Sequence, residues 1–99
     1  MTYATHKALD ELHEHLAPLI DRFIETYMGH FDKQPVRPAF KIRIDIVSEN
    51  GKIKSWLRSQ RDALTTMSKT EYKDLPGFTN ILEEMISLFD NTIYLVNLH

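Results

Sequence analysis

Four side chains near the start of the chain have the types and the spacing that suit a divalent metal. They follow the pattern His-x3-Asp-x10-Asp-x3-Glu and are His6, Asp10, Asp21 and Glu25. Residues four apart on a helix lie on one face, one turn apart, so the first two form one pair and the last two form another. Imidazole and carboxylate groups bind iron, manganese and zinc. The chain has no cysteine, which leaves His, Asp and Glu as the ligands available to a metal.

The two pairs are too far apart to share one ion within a single straight helix. Fifteen residues separate His6 from Asp21, which is about 22 Å at 1.5 Å per residue. Two copies of the helix packed antiparallel about a two-fold axis would bring the first pair of one copy opposite the second pair of the other, twice. The spacing therefore predicts a metal site between subunits.

The candidate ligands lie on residues 5–28, whose pattern predicts a long amphipathic helix. Thr2 or Thr5 is expected to cap its start and Gly29 to end it. Pro18 should bend the helix without dividing it, because the apolar stripe continues on both sides. The stripe recurs at steps of three and four and consists of Leu9, Leu12, Leu16, Leu19, Phe23 and Tyr27.

The rest of the chain predicts a crossover and two further helices. Residues 30–51 contain two prolines and an alternating apolar pattern over residues 40–47, which indicates a short extended segment. The apolar residues Ile53, Trp56, Leu57, Leu64 and Met67 then predict a second helix, with Trp56 as a packing anchor. Asp74 is a candidate cap and Pro76 a first-turn residue of a third helix, which reaches nearly to the C-terminus.

These elements predict an all-α fold, an antiparallel bundle of three long helices with one long crossover, as a single domain over residues 1–99. The third helix carries more apolar surface than two partner helices would cover. The excess predicts self-association and is contributed by Ile86, Ile93, Tyr94 and Leu98.

Composition excludes several functional classes. A hydrophobic fraction of 42% with 26% charged residues is typical of a soluble globular protein, and the apolar clusters are too short to span a membrane. A net charge of −2 without a basic tail disfavours nucleic acid as a partner. The N-terminus has no apolar segment typical of a secretion signal. No nucleophile with a positioned base and no phosphate-binding glycine loop is recognisable, so the one enzymatic hypothesis is metal-based.

The stretch THKALDELHEHLAPLIDRFIETYMG resembles the second helix of the ferritin-like fold, especially that of the Dps proteins and of a ferritin-like group from phages and large viruses. The likeness is strongest over residues 3–29 and is compatible in helix order and crossover over the rest. In Dps proteins the corresponding His, Asp, Asp and Glu belong to a ferroxidase site at a dimer interface, so the resemblance implies these roles for the four candidate ligands. The Dps helix that precedes this one, with its further histidine ligand, has no counterpart in the chain. His13 and His15 are the nearby alternatives.

Two functions follow as hypotheses. One is a Dps-like homo-oligomer that binds iron or another divalent metal and oxidises or sequesters it. The other is a non-catalytic assembly component of a phage or viral particle, which joins copies or other particle proteins through its apolar faces. The expected location is accordingly the cytoplasm or the virion. The third interpretation of the carboxylates is a merely solvated face, with Lys7 and Arg22 offering weak ion pairs.

Overall fold

The structure, a computed structural model, describes residues 2–32 and 50–98 of the chain, with side chains in the second range from residue 52 onward. Regular structure in these ranges consists of three helices: α1 (Tyr3–Phe31), α2 (Asn50–Lys69) and α3 (Pro76–Asn97). This confirms the prediction of an all-helical chain with three long elements. The extended segment predicted over residues 40–47 lies outside the described residues.

The start of α1 follows its local sequence, and its end does not. The Thr2 hydroxyl caps the helix by accepting a hydrogen bond from the backbone N–H of Thr5, and the helix continues unbroken through Pro18. Gly29 was predicted to end α1, and this was wrong, because the helix runs to Phe31 and Asp32 takes the left-handed cap conformation with φ of 55°. Aspartate tolerates that conformation better than most residues.

The physical reason for the longer helix is tertiary packing at its last turn. The Phe31 ring lies against the rings of Tyr27 and Phe78, with centroids 4.7 and 5.9 Å away. Helical geometry through Gly29 places Phe31 at these contacts. The aromatic packing therefore outweighs the tendency of glycine to stop a helix.

The start of α3 also differs from the sequence prediction. Asp74 was expected to cap it, but the N-cap position belongs to Leu75, which makes no side-chain capping bond. Residues 70–74 form turns that bury Tyr72, and the Leu75 carbonyl accepts the N–H groups of Phe78 and Thr79. Pro76 occupies the first turn as predicted, where its missing N–H costs nothing.

α3 packs along both other helices, and these are the two extensive helix–helix contacts of the described chain. Its N-terminal half lies beside the C-terminal half of α1, because Arg22 forms an ion pair with Glu84 at 3.2 Å and the ring of Phe23 packs on that of Phe78. Moving toward the end of α3 therefore means moving toward the start of α1. The two helices are antiparallel, as predicted.

α2 runs antiparallel to α3 as well. Arg61 donates to Asp90 at 3.1 Å, and Tyr72, just beyond the end of α2, stacks on Phe78 near the start of α3. Because α1 and α2 both oppose α3, they are parallel to each other. Asp32 and Asn50, which follow α1 and begin α2, consequently lie at opposite ends of the bundle.

The core lies where the three apolar stripes meet. Phe78 is its aromatic end, with ring contacts to five neighbours on α1 and on the turn after α2, which are Phe23, Tyr27, His30, Phe31 and Tyr72. Trp56 is half-buried against Phe89, which confirms its packing role. The least exposed large side chains include Ile53, Leu57, Leu64, Leu82, Met85 and Val96.

The bundle covers part of the apolar excess on α3. Ile93 is buried and Ile86 half-buried, so two of the four residues predicted to drive self-association belong to the monomer's own packing. Tyr94 and Leu98 remain 61% and 58% exposed. None of the three described helices combines the length and hydrophobicity needed to cross a bilayer.

We expect Leu82→Ala to lower the free energy of unfolding by about 2–5 kcal/mol, because the side chain is fully buried and its removal leaves a cavity. Leu98→Ala, the same change at the exposed residue that caps the end of α3, should stay within about 0.5 kcal/mol of the parent. Urea unfolding at low protein concentration compares the two. Equal losses would contradict the assignment of α3 as the centre of the core.

Candidate metal centre

One side of α1 points away from α2 and α3 and carries the candidate ligands. At about 100° per residue, its members fall within an arc of about 100° opposite the buried stripe. We call this arc the outer face of α1. Its exposed residues are Tyr3, His6, Lys7, Asp10, Glu14, Ala17, Asp21, Glu25 and Met28, and the half-buried Ile24 lies at its edge.

The first candidate pair converges in the structure. His6 Nε2 lies 3.4 Å from Asp10 Oδ2, and the two side chains are 60% and 64% exposed. An imidazole and a carboxylate in this arrangement present a nitrogen and an oxygen donor toward the same point in solvent. The pair can therefore chelate a cation from one turn of helix, and in a cation's absence it forms a weak surface ion pair when His6 is protonated.

The second pair, Asp21 and Glu25, lies on the same face. At about 1.5 Å per residue, Asp21 is about 22 Å further along the helix axis than His6. Neither carboxylate forms an ion pair or a hydrogen bond to another side chain within the described residues. Both remain exposed, so their oxygens are accessible to a ligand or to a second chain. Arg22, the adjacent cation, is directed toward α3 and pairs with Glu84 instead.

Within residues 2–32 and 50–98, no group of three or more His, Asp or Glu side chains is placed so as to share an ion. The two candidate pairs are therefore separate from each other in this part of the chain. Whether two copies combine these pairs into one site stays a prediction.

The neighbouring histidines lie off the outer face. His15 lines an open depression of about 450 Å³ between α1 and α3, around the helix from Asp21 and on the side where Leu88 and Glu84 lie. His13 is exposed, but at about 100° per residue it lies some 80° around the helix from Asp21. Neither histidine joins the candidate pairs within one chain.

Two residues of the outer face were not singled out by the sequence pattern. Tyr3 and Met28 are large apolar side chains that are 82% and 38% exposed. They flank the candidate ligands, one at each end of the helix. The sequence held one signal that could have identified them, which is their separation of 25 residues. This is about seven full helical turns, so the two residues lie on the same face.

The electrostatics of the outer face are dominated by its carboxylates. The four carboxylates Asp10, Glu14, Asp21 and Glu25 outnumber the basic residues of that face, which are Lys7 and His6. On α2 and in the turn that follows it, the hydrogen bond to Asp90 raises the pKa of Arg61, and burial raises the pKa of Tyr72. A surface of this kind attracts cations.

The fold and this face define a helical-bundle protein with paired candidate metal ligands on an exposed helix. The chain belongs to a family of unknown function, DUF5856, whose family model matches residues 1–96. No curated protein and no solved structure is detectably similar to it.

We expect the double substitution Asp21→Asn/Glu25→Gln to change the free energy of unfolding by no more than about 0.5 kcal/mol in the presence of a chelator, because both side chains are exposed and lack partners in the described chain. Urea unfolding in EDTA measures this. A destabilisation above about 1 kcal/mol would show that the carboxylates have a structural role in the monomer.

Proposed function

We propose that the protein is a ferritin-like, Dps-like homo-oligomer that binds iron or another divalent metal between subunits and oxidises or sequesters iron. Each site would take His6 and Asp10 from one subunit and Asp21 and Glu25 from the other. The observation that carries the proposal is the convergence of His6 and Asp10, at 3.4 Å, on an exposed helix face that also presents the second pair.

The helix arrangement supports the ferritin-like resemblance. α1 and α2 are parallel, α3 opposes both, and Asp32 and Asn50 lie at opposite ends of the bundle. Two consecutive helices that run parallel need a connection that spans the length of the bundle. A ferritin-like bundle has one such long crossover.

The donor set suits ferrous iron. One imidazole and three carboxylates offer nitrogen and oxygen donors of the hardness that iron prefers, and they bring negative charge that favours a cation. Four protein ligands leave coordination positions open, through which an oxidant would reach the bound iron. In this proposal the chain's residues bind and position the metal, and no other group on the outer face is needed as an acid or base.

Complementation between two defective variants tests the shared site. His6→Ala/Asp10→Asn and Asp21→Asn/Glu25→Gln should each lose at least about tenfold in metal affinity, because each removes half of every site. A mixed dimer of the two variants retains one complete site and lacks the other entirely. We therefore expect mixing to restore up to half of the high-affinity binding, measured by anaerobic ferrous iron titration and, for oxidation, by the appearance of ferric iron.

Glu11→Gln is the matched control, because Glu11 is an exposed carboxylate of α1 outside the outer face. It should bind metal like the parent. If both double variants bind and oxidise iron as the parent does, the site assignment is wrong. If each loses binding but mixing restores none, the ligands do not come from two chains.

A second candidate function is the assembly component of a phage or viral particle. The observation that favours it is the exposure of Tyr94 and Leu98 near the end of α3, next to the half-buried Leu95. Apolar side chains on the far side of a central helix suit contact with another copy or with another particle protein. The cytoplasm and the virion are the corresponding locations for the two candidates.

For this second candidate we expect an oligomer whose mass is unchanged by EDTA and falls on Tyr94→Ser/Leu98→Ser, because the contact depends on apolar burial and not on a metal. Light scattering with mass determination measures both effects. Ser87→Ala, an exposed change on the same helix, serves as the control. A parent protein that is monomeric at high concentration would contradict this candidate.

A further inference from the structure

We infer that the outer face of α1 is a two-fold self-association surface, on which Tyr3 of each copy packs against Met28 of the partner subunit. These contacts would close the interface at both ends of the candidate metal sites. The inference rests on the proposed function for its register, and it adds the contacts and the electrostatic condition that hold the two subunits together.

The exposure of these two side chains is the first reason. Tyr3 and Met28 are 82% and 38% exposed on a face otherwise composed of charged residues, His6 and Ala17, with the half-buried Ile24 at its edge. Tyr3 is thus almost fully open to solvent, and Met28 is partly so. Each is large enough for its burial to contribute substantially to an association.

The second reason is register. An antiparallel pairing that sets His6 opposite Glu25 of the partner subunit also sets Asp10 opposite Asp21 of the partner subunit. Three residues further outward on both helices, the same register sets Tyr3 opposite Met28 of the partner subunit. The two exposed apolar residues therefore face each other in the one alignment that combines the ligand pairs, and symmetry repeats the contact at the other end.

The middle of the face permits the helices to approach. In this register Ala17 lies next to the two-fold axis, opposite Glu14 of the partner subunit. A small exposed side chain at this point leaves room for the interaxial distance of about 8–10 Å that packed helices adopt. The long side chains of the ligand pairs lie further from the axis, where they can reach across.

Charge makes the interface conditional. Each copy contributes the four carboxylates Asp10, Glu14, Asp21 and Glu25 to the surface, against Lys7 and His6 as the residues that can carry positive charge. Without a cation these carboxylates repel across the interface, and a bound divalent metal removes much of that repulsion. At about 1 M salt the screening length falls to about 3 Å, so the apolar contacts should then suffice without metal.

Disulfide crosslinking tests the register directly. The chain has no cysteine, so Tyr3→Cys/Met28→Cys introduces the only two thiols. Twenty-five residues of continuous helix hold these positions about 37 Å apart within one chain, far beyond the reach of a disulfide, so any disulfide joins two chains. Both changes are at exposed positions and should leave the fold intact. Because they remove the two apolar side chains, the disulfide reports the register by trapping transient contacts between copies, not by recording a stable dimer.

We expect the oxidised double variant to run as a covalent dimer on a non-reducing gel after treatment in 1 M NaCl with EDTA, and to form much less dimer in low salt with EDTA. Glu11→Cys/Met28→Cys is the matched control and should remain monomeric, because Glu11 lies outside the outer face. Tyr3→Cys alone should also remain monomeric, since the two copies of residue 3 lie at opposite ends of an antiparallel pair.

Two results would overturn the inference: a double variant that crosslinks no more than the Glu11 control in high salt, or efficient crosslinking of Tyr3→Cys alone. The proposed metal function is tested separately by the titration. Crosslinking in EDTA together with no metal affinity in the titration would support this interface and contradict the metal function. Metal affinity without crosslinking would contradict the interface and support the metal function.

Discussion

The burial of α3 between α1 and α2 is the constraint on which the rest of the structure depends. α1 and α2 each contact α3, and the side chains of Phe78, Leu82 and Met85 on α3 are almost completely buried. Burying these side chains supplies most of the free energy that orders the chain, since isolated helices of this length are marginal in water. It also fixes the direction of both outer helices, because each must oppose α3 to align its own apolar stripe.

That constraint decides what the outer face of α1 can do. With its apolar stripe committed to α3, α1 presents its carboxylates to solvent, where the described chain offers them almost no basic partner. Arg22, next to Asp21 in the sequence, is paired instead with Glu84 on α3, which leaves Lys7 and His6 as the basic residues of the face. The remaining negative charge favours either hydration or a cation, and one helix provides only two adjacent candidate ligands at a time. The proposed function therefore draws the other two ligands from a second copy.

In the proposed dimer, metal binding and self-association would be coupled. The apolar ends would favour contact between copies and the acidic middle would oppose it, so a ligand that neutralises the middle would shift the balance toward the dimer. The proposed site would in turn bind its cation with full affinity only when two copies meet. Neither effect requires a rearrangement of the bundle, because the outer face is formed by a helix whose core contacts are all on its other side.

Apolar periodicity alone was sufficient to predict three helices and the buried side of α1, since Leu9, Leu12 and Leu16 recur at helical spacing and each must face one way. The same regular geometry showed that His6 and Asp10 form one candidate pair and that Asp21 lies out of its reach. Local sequence could not predict where two helices begin or end. Phe31 extended α1 past Gly29, and the turn that buries Tyr72 displaced the start of α3 from Asp74, because packing between distant residues outweighed local preferences worth about 1 kcal/mol. Only the tertiary structure decided that Ile93 is covered while Tyr94 is not, and that Tyr3 and Met28 are left exposed beside the candidate ligands. Exposure depends on which neighbouring helix covers a given angle of the surface, and no spacing within one helix contains that information.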